Sequence, residues 1–378
     1  YMDKLRQTGL DSTVDWSSLS RELDAFKTTT PEELSDGLDY LASRYVSVLD
    51  KLERNYTGDE LTAQRAKLEE VYEAGKAKMI DGYTQLLQDN LGISSSDAQA
   101  VRDSFSTILA DKVDAYRGAL DKVHEAVTQT GADSVWLKNH DAYIASQLRA
   151  AGGANQSKAV YSVQDLTAAG QIAQDYRAEI SGAASCGRNE ATLGLNLSMA
   201  DMKAETMIAK GLVSQNMAAL LRSSRAQGHE KALAALDQAL AQRESNRFSG
   251  EPKGAFAPVD RSVFQGIYQA VMGAYRQNGG DAAEAIRAGA AYGQKVTAQA
   301  SAKNPHTFRW GINIESYWKD FYTAPADKET TVLGKKINRL LVQIGQTPNQ
   351  NKSTYQKYMD SWRDFLAAIG GSGLNIRA

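Results

Sequence analysis

Hydrophobic and polar positions follow helical spacing over most of the chain, most plainly in residues 56–92, "YTGDELTAQRAKLEEVYEAGKAKMIDGYTQLLQDNLG". Leu68, Tyr72, Gly75, Met79, Gly82 and Leu86 recur at intervals of four and three, the spacing of a helix lying along a nearly parallel neighbour. Thr57 and Glu60 form a capping-box start, and Asn90 with Gly92 supplies a stop near Leu91. A helix of about 33 residues spans about 50 Å at 1.5 Å per residue, well beyond the usual globular length. Gly75 and Gly82 each cost roughly 1 kcal/mol of helix propensity against Ala, so their place on the seam predicts a closely approaching backbone. The following segment sets Val101, Phe105, Ile108, Val113, Tyr116, Leu120, Val123 and Val127 on one broad face. The short "GISSS" turn between the two predicts an antiparallel helical hairpin, with the long helix packed on its successor.

The same period runs on either side. A short helix is expected near "WSSLSRELDAF", and the next opens with Thr30 as N-cap, Pro31 at the first helical position and Glu33 at the third. "DSVWLKNHDAYIASQLRAAGG" predicts a helix from Asp133 to Gly152, with Trp136, Tyr143, Ile144 and Leu148 facing a core. "SVQDLTAAGQIAQDYRAEIS" is another, before a break around Cys186. "LSMADMKAETMIAKGLVSQNMAALLRSSRAQ" reads as one Met- and Ala-rich helical stretch, in which Met199, Met202, Met207 and Met217 are core filler first and an adaptable surface second.

Periodicity fails over 243–260, where two prolines fall, and this stretch reads as the principal boundary. Two helices follow, and the Ala/Gly-rich face of "DAAEAIRAGAAYGQKVTAQASAKN" predicts tight contact with a neighbour. "HTFRWGINI" places Phe308, Trp310, Ile312 and Ile314 on alternate positions, the period of an extended segment. Helices around 327–344 and 349–369 and a Gly/Ser tail close the chain. The expected fold is all-α: an elongated multi-helix bundle over 1–245 led by the long hairpin, a linker over 246–259, and a smaller helical C-terminal region over 260–378 containing the short extended segment.

Composition narrows the picture without naming an activity. A content of 42% hydrophobic and 23% charged residues is that of a folded protein. Five of the six prolines lie from Pro252 onward, so no proline interrupts the helices between Pro31 and Pro252. Cys186 is the only cysteine, which excludes an intrachain disulfide and a multi-cysteine metal site. No window is apolar enough for a transmembrane segment, and the best, 206–221, carries Lys210. The chain opens on Tyr1 rather than Met, which leaves a removed leader, and hence the compartment, open. Residues 1–130 hold 15 basic and 24 acidic side chains against 28 and 21 in the remainder, a polarity that favours head-to-tail association or self-docking. The basic residues are scattered rather than striped, so nucleic acid is not an expected partner.

Catalytic motifs are incomplete. His124-Glu125 and His229-Glu230 each open like a zinc-protease motif, but Thr128 and Leu233 stand where the second imidazole is required. Ser316 and Lys319 match a Ser-x-x-Lys pattern without its companion motifs. Paired carboxylates such as Glu69-Glu70 and Glu32-Glu33 fit helix surfaces and helix N-termini. No catalytic, cofactor-binding or metal-binding residue is assigned. The distinctive feature is the C-terminal aromatic concentration, from which Trp310, Tyr317, Trp318, Tyr322, Tyr355 and Trp362 are taken as an interaction surface. Trp318 and Tyr322, like Tyr355 and Trp362, share a helical face, which equally suits a seam sealing the extended arm.

The expectation is a non-enzymatic structural or protein-interaction component, of an exported bacterial surface or secretion-associated kind, with a protein partner or self-association and no cofactor. One alternative is a helical pore-forming toxin or effector that hides its apolar segment within 191–221. The other is a small-ligand binder or enzyme using the aromatic cluster near His306.

Overall fold

The computed structural model describes residues 13–129, 139–154, 156–184, 189–246 and 259–303. These residues are 86% helical, with ten α-helices and no strand among them, so the chain is an all-α, multi-helix protein. In chain order the helices are α1 (Trp16–Asp24), α2 (Leu34–Asn55), α3 (Gly58–Leu91), α4 (Ser95–Gln129), α5 (Asp141–Ala151), α6 (Val163–Ala184), α7 (Asn189–Ala209), α8 (Gln215–Ser245), α9 (Arg261–Gln277) and α10 (Ala282–Lys303), with a 3-10 turn at Ala25–Thr28. The described residues fall into two compact units, one within Tyr1–Gln88 and Ser94–Gly170, the other within Asp89–Ile93 and Gln171–Ala378. The division falls inside α3 and α6. The expected extended segment at 308–314, the last two helices and most of the 246–259 linker lie outside the described residues.

Side-chain caps set several of these boundaries. Glu33 accepts from the Thr30 N–H at 3.4 Å and from the Thr30 hydroxyl at 3.0 Å, one half of the expected capping box. Residues 31–33 form a turn, however, and α2 opens only at Leu34 with Glu33 at the N-cap, three residues later than the Thr30–Pro31 start expected from sequence. A full reciprocal box opens α6, where the Ser162 N–H donates to Asp165 at 3.0 Å and the Asp165 N–H to the Ser162 hydroxyl at 3.1 Å. The single stretch expected across α7 and α8 is two helices. Gly211 adopts φ +67°, and N–H groups of Gly211 and Leu212 close on the carbonyls of Ile208 and Met207 at 3.0 and 2.9 Å. That is a Schellman stop, which the local Met/Ala pattern concealed. Among the described residues α5 opens at Asp141 rather than Asp133. It buries Ile144 and Leu148, leaves Tyr143 half-buried, and Trp136 lies outside the described residues.

In the first unit α2 packs on both α4 and α5. It is buried nearly all round, taking in Arg44, Asp50 and Lys51 as well as Leu34, Leu38, Leu41 and Leu52, the mark of an interior helix. The long helix α3 has more neighbours than its successor alone. Tyr72 meets Tyr45 of α2 at 4.5 Å between ring centroids, while Tyr83 meets Phe105 of α4 edge-on at 5.4 Å. Its two seam glycines face the N-terminal segment. A Cβ at Gly75 would lie 2.8 Å from the Leu23 Cβ, and one at Gly82 would lie 2.6 Å from the Lys27 carbonyl oxygen. Close approach is therefore the reason for both glycines, and α1 with its 3-10 extension is what approaches.

In the second unit α7 is the interior element, with every residue from 191 to 200 buried. Leu195, Met199 and Met202 pack with Ile267, Val271 and Met272 of α9 and with Ala282, Ala285 and Ile286 of α10. Met207 and Met217 are buried too, so all four methionines fill core. The small face of α10 makes the tight contact its composition predicts, since a Cβ at Gly289 would fall 2.3 Å from Val271.

Candidate functional site

The interaction surface expected from sequence, Trp310, Tyr317, Trp318, Tyr322, Tyr355 and Trp362, lies outside the described residues, as do His306, Ser316, Lys319 and Cys186. The densest constellation of chemically capable groups among the described residues is elsewhere, on the interior helix of the second unit.

Its centre is Asp201, on α7 and 2% exposed. Four side chains from three other helices converge on this one carboxylate. The Tyr176 hydroxyl of α6 donates to Oδ1 at 2.5 Å, and the Tyr268 hydroxyl of α9 donates to Oδ2 at 2.7 Å. From α8, His229 Nε2 lies 3.0 Å from Oδ2 and Arg225 Nε lies 3.4 Å from it. One helical turn along α7, Glu205 accepts from Arg225 and Arg222, each at 2.8 Å. The spacing explains the match: Asp201 and Glu205 stand at i and i+4 on α7, opposite Arg222, Arg225 and His229 at i, i+3 and i+7 on α8.

The electrostatics follow from burial and these partners. Burial disfavours the Asp201 charge, but the His229 hydrogen bond and the Arg225 guanidinium outweigh it and hold its pKa below the ordinary carboxylate value. Burial, reinforced by the Asp201 charge, pushes the Tyr176 and Tyr268 phenols well above their ordinary value, so both remain donors. Arg225 is also raised, because Asp201 and Glu205 overcome the cost of its burial.

An Asp–His pair invites comparison with acid–base catalysts, in which the base must reach the proton it moves. His229 is 8% exposed. Its ring is enclosed by Tyr176 at 5.9 Å, Phe264 at 5.5 Å and Tyr268 at 4.6 Å between centroids. The arrangement joins four helices around a saturated charge and gives the imidazole no open face. The same construction ties α2 to α4 in the first unit. Asp39 accepts from Lys112 Nζ at 2.5 Å and Tyr116 at 2.8 Å, and Asp50 meets His124 at 3.1 Å and Arg54 at 2.9 Å. Burial and the Asp39 charge raise the Tyr116 pKa in turn. Among the described residues no group of three His, Cys, Asp or Glu side chains is placed to hold a metal ion.

The sequence carried a signal for this site that periodicity alone passes over. Asp201 and Glu205 stand one turn apart just after the uncharged run 191–200 of α7, and an acidic pair on so buried a helix calls for cations from its neighbours. Lys112 was likewise hidden beside Val113, which is only half-buried while Lys112 is buried.

Comparison of the chain with known protein families, curated proteins and solved structures finds no significant match.

Proposed function

We propose that the chain is a non-enzymatic structural or protein-interaction component, in which buried ionic ties fix helices in register. The observation that supports this reading most directly is Asp201, whose carboxylate is consumed by Tyr176, His229, Arg225 and Tyr268 from three neighbouring helices. Buried polar groups that specify one packing arrangement are a known use of such ties. The exported or surface-associated setting and the protein partner or self-association expected from the sequence belong to the same proposal.

The test is a comparison of the purified chain with its Asp201→Asn variant in an unbiased metabolite extract, followed by mass spectrometry, with melting and mass recorded for both. The structural reading predicts that the variant melts at lower temperature and that no metabolite is consumed in an Asp201-dependent way. A metabolite turned over by the native chain but not by an equally stable Asp201→Asn variant would overturn it.

A further inference from the structure

The first unit contains a cavity of about 660 Å³, bordered by Asp15, Trp16, Glu22, Arg44, Lys51 and Asp141 among others. That is within the range of small-molecule pockets, roughly 300–1,000 Å³. Its charges are unequally satisfied. Arg44 is shared by two carboxylates: Nε lies 2.8 Å from Glu22 and Nη1 lies 2.8 Å from Asp141. Burial works against the Arg44 charge, and the two carboxylates more than offset it, raising its pKa. Among the lining residues this is one cation for two anions, an excess negative charge that Arg149, stacked on Tyr40 behind Glu22, offsets only from outside the lining. Asp15 adds a second, being engaged by the Ser18 N–H at 3.1 Å and the Ser17 hydroxyl at 3.0 Å and by no lysine or arginine at ion-pair distance among the described residues.

Lys51 is the opposite case. It is 8% exposed, and its ammonium donates to the Thr13 carbonyl oxygen at 3.1 Å. No carboxylate among the described residues stands within ion-pair distance of it. An ammonium carries three donors, and a buried charge without a counterion is costly. A small anion on Nζ would repay that cost. A ligand carrying negative charge alone would, however, face Glu22, Asp141 and Asp15, whereas one that also carries a positive charge would meet both signs. Trp16, half-buried, supplies an aromatic wall.

We propose that this cavity binds a small zwitterion of the amino-acid class, with its carboxylate on Lys51 and its ammonium toward the excess carboxylate of Asp15, Glu22 and Asp141. This goes beyond the structural reading and uses none of the Asp201 cluster.

The test is isothermal titration calorimetry with thermal melting on the full chain, using the free L-amino acids one at a time. Sodium acetate, N-acetyl amino acids and amino-acid amides serve as probes with one charge removed. Binding and a raised melting temperature are expected for at least one free amino acid, and weaker binding for its N-acetyl and amide forms. Lys51→Met, which keeps the stem and removes the charge, should weaken that binding by about tenfold to a hundredfold, the size of a lost hydrogen bond to a charged group. Asp15→Asn, which preserves the N-cap, should weaken the free amino acid while leaving acetate unchanged. A chain that binds no free amino acid would overturn the proposal. So would acetate binding as tightly as any amino acid, or a folded Lys51→Met variant that binds undiminished.

Discussion

At the residue scale, Asp201 concentrates the energetic consequences. Removing one partner of a buried charge set leaves the others unpaired, which typically costs about 3–5 kcal/mol. Asp201→Ala, which strands His229, Arg225 and two phenols, is therefore expected to lower stability by about that amount in denaturant titration. The pH dependence has a definite sign. Because the native pKa of Asp201 is depressed, its contribution is present above the unfolded carboxylate value of about 3.9. It is lost as pH falls through the native value. Acid unfolding followed by circular dichroism should shift accordingly, and Asp201→Asn should flatten that limb. At the alkaline end Tyr83, Tyr116, Tyr176 and Tyr268 all have raised pKa values. Their stabilising effect is complete below the unfolded value of about 10 and declines above it. Phenolate absorbance from these rings should therefore appear together with alkaline unfolding rather than before it.

At the scale of the element, two glycines separate packing from propensity. Gly82 lies on α3 beneath the Lys27 carbonyl oxygen, whereas a Cβ at Gly118 on α4 would meet nothing within 4 Å. Gly118→Ala should stabilise by about 0.5–1 kcal/mol through helix propensity alone. Gly82→Ala should destabilise, since the backbone of the 3-10 turn would have to move. Ser162→Ala, which removes one arm of the α6 capping box, should cost about 1 kcal/mol. These elements also show what the sequence made legible. The all-α class, the extent of α3, its buried positions from Leu68 to Met79 and most of the buried face of α4 follow from period and caps, because local chemistry decides them. Beyond Met79 the buried stripe of α3 passes to Tyr83 and Leu87 rather than Gly82 and Leu86, and α2 starts at Leu34 rather than Pro31. The partner of the α3 glycines was not legible, since a seam shows that something approaches closely without saying what. The stop after α7 was signalled by Gly211 and by Ser214, which caps the next helix, but the helical period of the Met- and Ala-rich residues on either side concealed it. The Asp201 cluster was legible only in part: its acidic pair stands out in α7, but its tyrosines come from α6 and α9, far away in sequence.

At the scale of the whole molecule, residues 1–130 carry an acidic excess and the remainder a basic one, so the self-association proposed above is expected to depend on salt. Sedimentation velocity should show greater mass at low ionic strength. That association should fade as the screening length contracts, to about 10 Å at 0.1 M. Among the described residues no helix is long and apolar enough to cross a membrane, and α7, buried throughout 191–200, carries the buried Asp201. The buried Asp201 charge is proposed to serve packing. A double-mutant cycle of Asp201→Asn and His229→Gln, read by equilibrium unfolding, tests it most directly. Each single variant should be destabilised, and the pair should couple by about 1 kcal/mol or more, as contacting residues in one network do. An Asp201→Asn variant as stable as the native chain or more so, with no coupling to His229, would contradict it. That outcome is the mark of a charge held at the expense of stability for an activity.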